Sequence, residues 1–152
     1  MKQTLLAALI VLSVGIITTS CENDYQGMPE SEKTPKEIEN FISKNFPTAY
    51  EADLEIVNSE DPSKKVYTVM LTNGISIEFD KNKNWKYISG NPKEIPLKLI
   101  PEKICSYLAQ HYPNQLVDYI CNTGDGFTIR INNTILYFDK DDNLSQTTIY
   151  GS

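Results

Sequence analysis

The chain has 152 residues, with 14 basic and 20 acidic side chains and a formal net charge of −6. An acidic chain without a cluster of Lys or Arg repels phosphate backbones, so the composition excludes nucleic acid as a favoured partner. The length is enough for one domain-sized core, or for two small fused ones, behind a targeting segment.

The N-terminus has the layout of a secretory signal. Lys2 supplies a short positive region, a brief apolar run follows, and small residues lead to Cys21. The apolar run is too short for a transmembrane helix of about 20 residues, so we predict a lipoprotein signal peptide over residues 1–20. A Cys directly after small residues resembles a bacterial lipobox, with Thr18 where Leu is usual. We expect lipidation at Cys21; ordinary signal-peptidase cleavage is the alternative.

Residues 21–34 are polar and acidic and contain Gly27 and Pro29. This composition is typical of a flexible tether, which would connect the lipid to the folded domain. We therefore expect a lipid-anchored protein of the Gram-negative cell envelope. Whether it faces the periplasm or the cell surface stays open.

The first half of the domain predicts one helix and four strands. Thr34-Pro35-Lys36-Glu37 can cap and start a helix, which Pro47 ends. Asn73-Gly74 is a strong hairpin signal between two alternating apolar segments. The predicted strands are residues 51–57, 66–71, 75–79 and 85–89.

The second half predicts the same order of elements. After a linker with two prolines, residues 91–100, a helix begins near Pro101 and is expected to bury its apolar face, including His111. Four strands follow, at about residues 116–121, 127–131, 134–138 and 144–150.

These halves also repeat in sequence, at a spacing of about sixty residues. Ile38-Glu39-Asn40-Phe41-Ile42 returns as Ile104-Cys105-Ser106-Tyr107-Leu108, and Phe79-Asp80-Lys81 returns as Phe138-Asp139-Lys140. We predict an α+β fold of two tandem repeats, residues 35–90 and 101–152. Each repeat is one helix followed by a four-stranded antiparallel meander, with the helix on one sheet face. Whether the two sheets are continuous or face each other stays open.

The pattern of an Ile-x-x-Phe-Ile helix before Phe-Pro, then Tyr-Thr-Val, Asn73-Gly74, Phe-Asp-Lys and Trp85, resembles the PepSY-like family. Its members are small exported bacterial proteins similar to β-lactamase-inhibitor protein. The second half departs from this pattern, with Asn132-Asn133 in place of Asn-Gly and Leu144 in place of Trp. The resemblance implies tandem repeats, an envelope location and a binding or inhibitory role, with an envelope hydrolase as the inhibited class. It implies no catalytic residues.

Three groups of residues invite a chemical interpretation. His111 stands without a nucleophile motif, so we assign it a structural role and expect no enzyme activity, no cofactor and no metal centre. Cys105 and Cys121 would share an oxidising compartment, and a disulfide or two free thiols are both open. Asp139-Lys140-Asp141-Asp142-Asn143 alternates oxygen ligands like a calcium loop, but it lacks the Gly and the final Glu. A polar hairpin turn is the preferred interpretation.

The sheet face away from the helices is the candidate binding surface. Counting alternate residues along each strand assigns six contact residues to it: Met70, Ile88, Arg130, Ile135, Tyr137 and Ile149. Aromatic and apolar residues with Arg are typical of protein interfaces, so we predict an envelope protein as the partner. Two structural alternatives are packing of the two sheets against each other and cover of this surface by the linker Asn91–Leu99. A small-ligand or ion-binding envelope module, with a cleft between the repeats, is the functional alternative.

Overall fold

The computed structural model of the chain describes residues 33–57, 64–90 and 95–150. The predicted signal peptide, Cys21 and most of the predicted tether lie outside the described residues. Within the described part of the chain, no helix is long and apolar enough to cross a membrane.

Two helices and eight strands follow one another along the described chain. The first half contains α1 (Lys36–Asn45), β1 (Glu51–Val57), β2 (Val66–Leu71), β3 (Ile75–Phe79) and β4 (Trp85–Gly90). A short 3₁₀ helix, Leu97–Leu99, precedes the second helix. The second half contains α2 (Glu102–His111), β5 (Tyr119–Asn122), β6 (Gly126–Ile131), β7 (Thr134–Asp139) and β8 (Leu144–Ile149).

Pro35 positions the start of α1 because its fixed φ, here −57°, suits the residue before the first turn. The side-chain cap predicted from Thr34-Pro35-Lys36-Glu37 does not form. The Thr34 hydroxyl donates to the carboxylate of Glu51 on β1 instead, and α1 has no side-chain cap. This bond connects the entry of the helix to the first strand.

The eight strands form one antiparallel sheet whose spatial order is their order in the chain. The junction is the pairing of β4 with β5, in which Ile88 lies opposite Ile120. The sheet is therefore continuous, and the arrangement of two facing sheets is excluded. The structure establishes an α+β fold of two helices and one eight-stranded sheet.

A row of side chains, apolar on every strand except β8, crosses the sheet under the helices. Its members, each opposite the next, are Leu54, Val69, Ile77, Ile88, Ile120, Ile129, Leu136 and Thr147. The six inner members are completely buried. Both helices pack on this face, since Phe41 of α1 contacts Phe79 edge-on at 5.4 Å between ring centroids and Tyr107 of α2 contacts Phe138 at 5.6 Å. We call this side the helix-covered face and the other the open face.

The predicted exposure of Ile88 is wrong, and a β-bulge is the reason. Phe79 lies opposite Trp85, but the preceding Glu78 lies opposite Tyr87, so Lys86 is an extra residue on β4. An extra residue reverses the alternation beyond it. Ile88 consequently lies on the helix-covered face with an exposed fraction of 0%.

Ile149 is misplaced for the same reason. On β8, Leu144 lies opposite Phe138 and Gln146 opposite Tyr137, so Ser145 is the extra residue. Ile149 then pairs with Thr134 and lies on the helix-covered side of the sheet. It is still 72% exposed, because β8 is an edge strand.

Replacing Ile88 with Ala tests the corrected position. We expect the free energy of unfolding to fall by about 2–5 kcal/mol, because the deletion leaves a cavity in a fully packed row. Met70→Ala on the open face is the matched control and should change it by about 0.5 kcal/mol or less. Urea unfolding of both variants measures the difference. Equal and small losses of unfolding free energy in both variants would indicate that Ile88 lies on the open face.

Candidate functional site

Two rows of side chains cross the open face from β1 to β8. The upper row is Asp53, Met70, Ser76, Ser89, Tyr119, Arg130, Ile135 and Thr148. The lower row is Glu55, Thr68, Glu78, Tyr87, Cys121, Thr128, Tyr137 and Gln146. Each residue lies directly opposite the next in its row, so neighbours can touch across strands.

The chemistry changes along these rows. The part over β1 to β3 is acidic, with Asp53, Glu55 and Glu78. The part over β4 to β7 is aromatic and apolar. We call this second part the aromatic cluster and define it as Tyr87, Tyr119, Arg130, Ile135 and Tyr137.

Tyr119 is the centre of the aromatic cluster. Its ring stacks on Tyr87 with centroids 6.0 Å apart and planes 26° apart. The Arg130 guanidinium lies over the Tyr119 ring, 5.5 Å from its centroid, and donates from Nε to Asp118 at 2.8 Å. The ion pair and the ring together fix the guanidinium plane, as cation–π geometry requires. These contacts connect Tyr87, Tyr119 and Arg130 to one another on the open face.

Burial dominates the electrostatics of the two stacked tyrosines. It raises the pKa of Tyr119 to about 12, with the neighbouring Cys121 thiol and Tyr87 contributing in the same direction and Arg130 opposing them. Burial, and then the Glu78 carboxylate, also raises the pKa of Tyr87. Both phenols are consequently neutral hydrogen-bond donors at physiological pH.

Four of the six predicted contact residues lie on the open face: Met70, Arg130, Ile135 and Tyr137. Met70 is 41% exposed and lies over β2, away from the aromatic cluster. The sequence reasoning missed Tyr87 and Tyr119. Because of the bulge at Lys86, counting alternate residues from Trp85 places Tyr87 on the wrong face. The aliphatic Ile88 next to it is the sequence signal that Tyr87 faces outward, since neighbouring residues of a strand lie on opposite faces.

Cys105 and Cys121 are free thiols, so the disulfide considered from the sequence does not form. Cys121 lies on the open face, opposite Tyr87 and Thr128. Cys105 lies on α2, beneath the other face, with its sulfur 3.5 Å from the Ile100 carbonyl oxygen. The sheet separates the two sulfurs. Burial raises the pKa of the Cys105 thiol, which lowers its reactivity.

His111 is exposed at the end of α2, and its predicted burial is wrong. Its ring stacks on Tyr107 with centroids 4.3 Å apart. Within the described residues, no three His, Cys, Asp or Glu side chains form a group that could hold a metal ion.

The candidate calcium loop is a tight turn closed by its own first residue. Asp139 Oδ1 accepts the backbone N–H groups of Asp141 and Asn143, each at 2.9 Å, and these bonds lower the pKa of Asp139. Lys103 of α2 donates to the Asp141 carbonyl oxygen at 2.9 Å and also contacts Asn143 Oδ1. The Lys103 ammonium group thus already contacts Asn143 Oδ1, one of the side-chain oxygens that a calcium ion would use.

Two grooves are relevant to a small ligand. A cavity of about 350 Å³ lies between the end of α1 and the start of β1, with Ile42, Phe46 and Tyr50 in its lining. A more polar groove of about 390 Å³ lies between the halves, where Asp80 and Lys86 approach Asn122. The second groove corresponds in position to the cleft predicted between the repeats.

A family profile described as "Putative beta-lactamase-inhibitor-like, PepSY-like" matches residues 65–146, more than half of the chain. The chain belongs to this family. The matched segment begins just before β2 and ends within β8, so it contains the whole aromatic cluster of this PepSY-like chain. No curated protein matches the chain.

Solved structures from Bacteroides species have the same fold. One, from Bacteroides thetaiotaomicron, is described as a "putative calcium-regulated periplasmic protein"; it is 28% identical, with a TM-score of 0.70 over 76% of this chain and 91% of that one. A second, from Bacteroides vulgatus, is described as a "putative periplasmic protein"; it is 25% identical, with a TM-score of 0.68 over 75% and 89%. A third, also from Bacteroides vulgatus, is 23% identical, has a TM-score of 0.71 over 80% and 96%, and supports the fold alone.

The half-buried phenol of Tyr119 predicts a specific loss of stability at high pH. Its pKa rises from 10.0 to about 12 on folding, so the folded state holds the proton more tightly. The resulting stabilisation is complete below pH 10 and is lost as the pH rises towards 12. We expect the free energy of unfolding of the wild-type chain to fall more steeply over this range than that of Tyr119→Phe. Urea titrations at several pH values measure both slopes; parallel slopes would contradict the burial of the phenol.

Proposed function

We propose that this PepSY-like protein is a non-enzymatic, lipid-anchored protein of the Gram-negative envelope that binds a protein partner through its open face. The observation that carries the proposal is the aromatic cluster. Three tyrosines, an Arg and an Ile lie together on the side of the sheet opposite to the two helices.

The composition and rigidity of the aromatic cluster support a protein partner. Tyr and Arg are enriched among the residues that contribute most to protein–protein binding. Here the Tyr87–Tyr119 stack and the Asp118–Arg130 ion pair fix the side chains in advance. A surface ordered in advance loses less conformational entropy on binding than one ordered by the partner.

The chemistry of the open face supports a binding role without turnover. Asp53, Glu55 and Glu78 lie over the first three strands, and Asp118 is paired with Arg130. The exposed His111 lies on α2, on the other side of the sheet. Acid–base catalysis needs such groups within hydrogen-bond reach of one substrate atom. The family description, which refers to inhibitor-like proteins, points in the same direction.

The envelope location rests on two independent observations. The N-terminal sequence predicts export and lipidation at Cys21, and the relatives at 28% and 25% identity are described as periplasmic. We keep the proposal that the chain consists of two tandem repeats, each one helix followed by a four-stranded meander, and that the strands of both repeats form the single sheet. Inhibition of an envelope hydrolase is the more specific form of the proposal, with the open face covering part of the enzyme.

Capture from a solubilised native envelope tests the proposal. The bait is the chain from residue 22 to residue 152, which contains every described helix and strand. We expect the double variant Ile135→Asp/Tyr137→Asp to retain at least tenfold less of the captured protein, because two charges would enter the aromatic cluster. Quantitative mass spectrometry of the bound fraction measures the ratio.

The matched control carries the same charge change on the other side of the molecule, Ser106→Asp/Gln110→Asp on α2. Both residues are exposed, so this control should capture as much as the wild-type chain. A second variant, Ile135→Thr/Tyr137→Thr, keeps β-branched residues on β7 and guards against misfolding. Equal capture by all four chains would rule out the aromatic cluster as the contact surface.

Ion binding is the alternative function, and the description of one structural relative as calcium-regulated gives it a concrete form. In this chain, Lys103 contacts two oxygens of the Asp139–Asn143 turn, and the turn backbone uses Asp139 Oδ1. We therefore expect saturating calcium to leave the melting temperature of the wild-type chain unchanged. A calcium-dependent rise that Lys103→Met enlarges would favour the ion-binding function instead. Differential scanning calorimetry with calcium, and with magnesium as the control, measures it.

A further inference from the structure

The two edges of the sheet differ in charge. The β1 edge carries Glu51, Asp53 and Glu55. The β8 edge, from Leu144 to Tyr150, carries no charged side chain and no Pro. Charges and Pro are the usual features that prevent an edge strand from pairing with another chain. Of the two edges, only β8 lacks them.

The β8 edge also exposes apolar side chains on one side. Leu144 and Ile149 lie on the helix-covered side, beyond the area that α2 covers, and are 36% and 72% exposed. Tyr150, directly after β8, is 55% exposed. Among the described strands, β8 pairs only with β7, so these side chains lie next to a backbone edge that no described strand covers.

The hydrogen-bond pattern shows which backbone groups of β8 are available. Tyr150 N–H donates to the Asn133 carbonyl at 2.8 Å, towards β7. Because the direction alternates along an antiparallel strand, the backbone groups of Thr148 also turn towards β7, and those of Thr147 and Ile149 turn outward.

We propose that β8 pairs with β8 of a second copy of this chain, antiparallel and around a two-fold axis near Thr148. In this register Thr147 of one copy lies opposite Ile149 of the other, and their outward N–H and C=O groups exchange hydrogen bonds. Both residues lie on the helix-covered side, so the helices of the two copies lie on one side and the two open faces on the other.

Charge favours the β8 edge over the β1 edge as the contact between two copies. The chain has a net charge of −6, so two copies repel each other and can approach closely only through a neutral surface. Contact through β1 would bring two acidic edges together, whereas contact through β8 would bring together two edges without charged side chains. A two-fold contact of one strand with itself also closes, unlike a contact of β8 with β1, which would continue into a filament.

Sedimentation equilibrium of residues 22–152, with reduced thiols, tests this proposal. One strand pair buries little area, so we expect the wild-type chain to change from monomer to dimer at concentrations on the order of 100 µM. Ile149→Lys should weaken the dimer at least tenfold by placing a charge on the edge. Thr147→Pro should do so by removing an outward N–H.

The matched control is Val57→Lys, which places the same charge at an exposed aliphatic residue of the β1 edge. It should dimerise like the wild-type chain, and thermal unfolding should confirm that all variants are folded. A wild-type chain that stays monomeric up to about 1 mM, or a dimer that survives Ile149→Lys, would overturn the proposal. Species larger than a dimer that Val57→Lys abolishes would overturn it in favour of contact between β8 and β1.

Discussion

The pairing of β4 with β5 is the constraint on which the rest of the structure depends. It places Ile88 opposite Ile120, both fully buried, in the middle of an apolar row that crosses all eight strands. Antiparallel neighbours share a face, so this one contact puts both helices on the same side of the sheet. No helix of the described chain then lies on the opposite side of the sheet. A broad open face is a direct consequence of this continuous pairing across eight strands.

The same junction assembles the aromatic cluster from both halves. Tyr87 belongs to β4 and Tyr119 to β5, and they stack across the strand pair that joins the meanders. Arg130 extends the cluster onto β6 through its contact with the Tyr119 ring. Neither half alone could form this surface. The position of the cluster therefore couples the proposed binding function to the integrity of the junction.

Much of the fold could be predicted from local sequence signals. Alternating apolar residues gave β1 and β2 with the bounds that the structure shows, and Asn73-Gly74 correctly marked the turn before β3. These signals act over a few residues, which is why they can be recognised in the sequence alone. Whether the two meanders pair or face each other depends on contacts between distant residues, such as Ile88 and Ile120. No local pattern encodes that choice.

The candidate site was harder to predict than the fold, because its residues were assigned by counting. One extra residue on β4, Lys86, exchanges the two faces of the strand, and it removed Ile88 from the predicted surface and concealed Tyr87. The cause is again local. In the turn before β4, Asp80 Oδ1 accepts two backbone N–H groups and Lys83 adopts a φ of 64°. The bulge directly follows this turn, so it lies at the start of the strand. The faces of the side chains on such a strand should therefore be counted from its far end.

The turn before β8 has the same construction as the turn before β4. Comparing these two strands shows that a strand's position in the sheet decides whether its apolar side chains are buried. Asp139 accepts two backbone N–H groups, and Ser145 is the extra residue that follows. On β4 the reversed alternation puts Ile88 into the core, because helices and a further strand surround it. On β8 it puts Thr147 and Ile149 on the same face, but no further strand of the described chain lies beyond them. An interior strand must satisfy the packing of its own core, whereas an edge strand with neutral side chains is free to complete its hydrogen bonds with another chain.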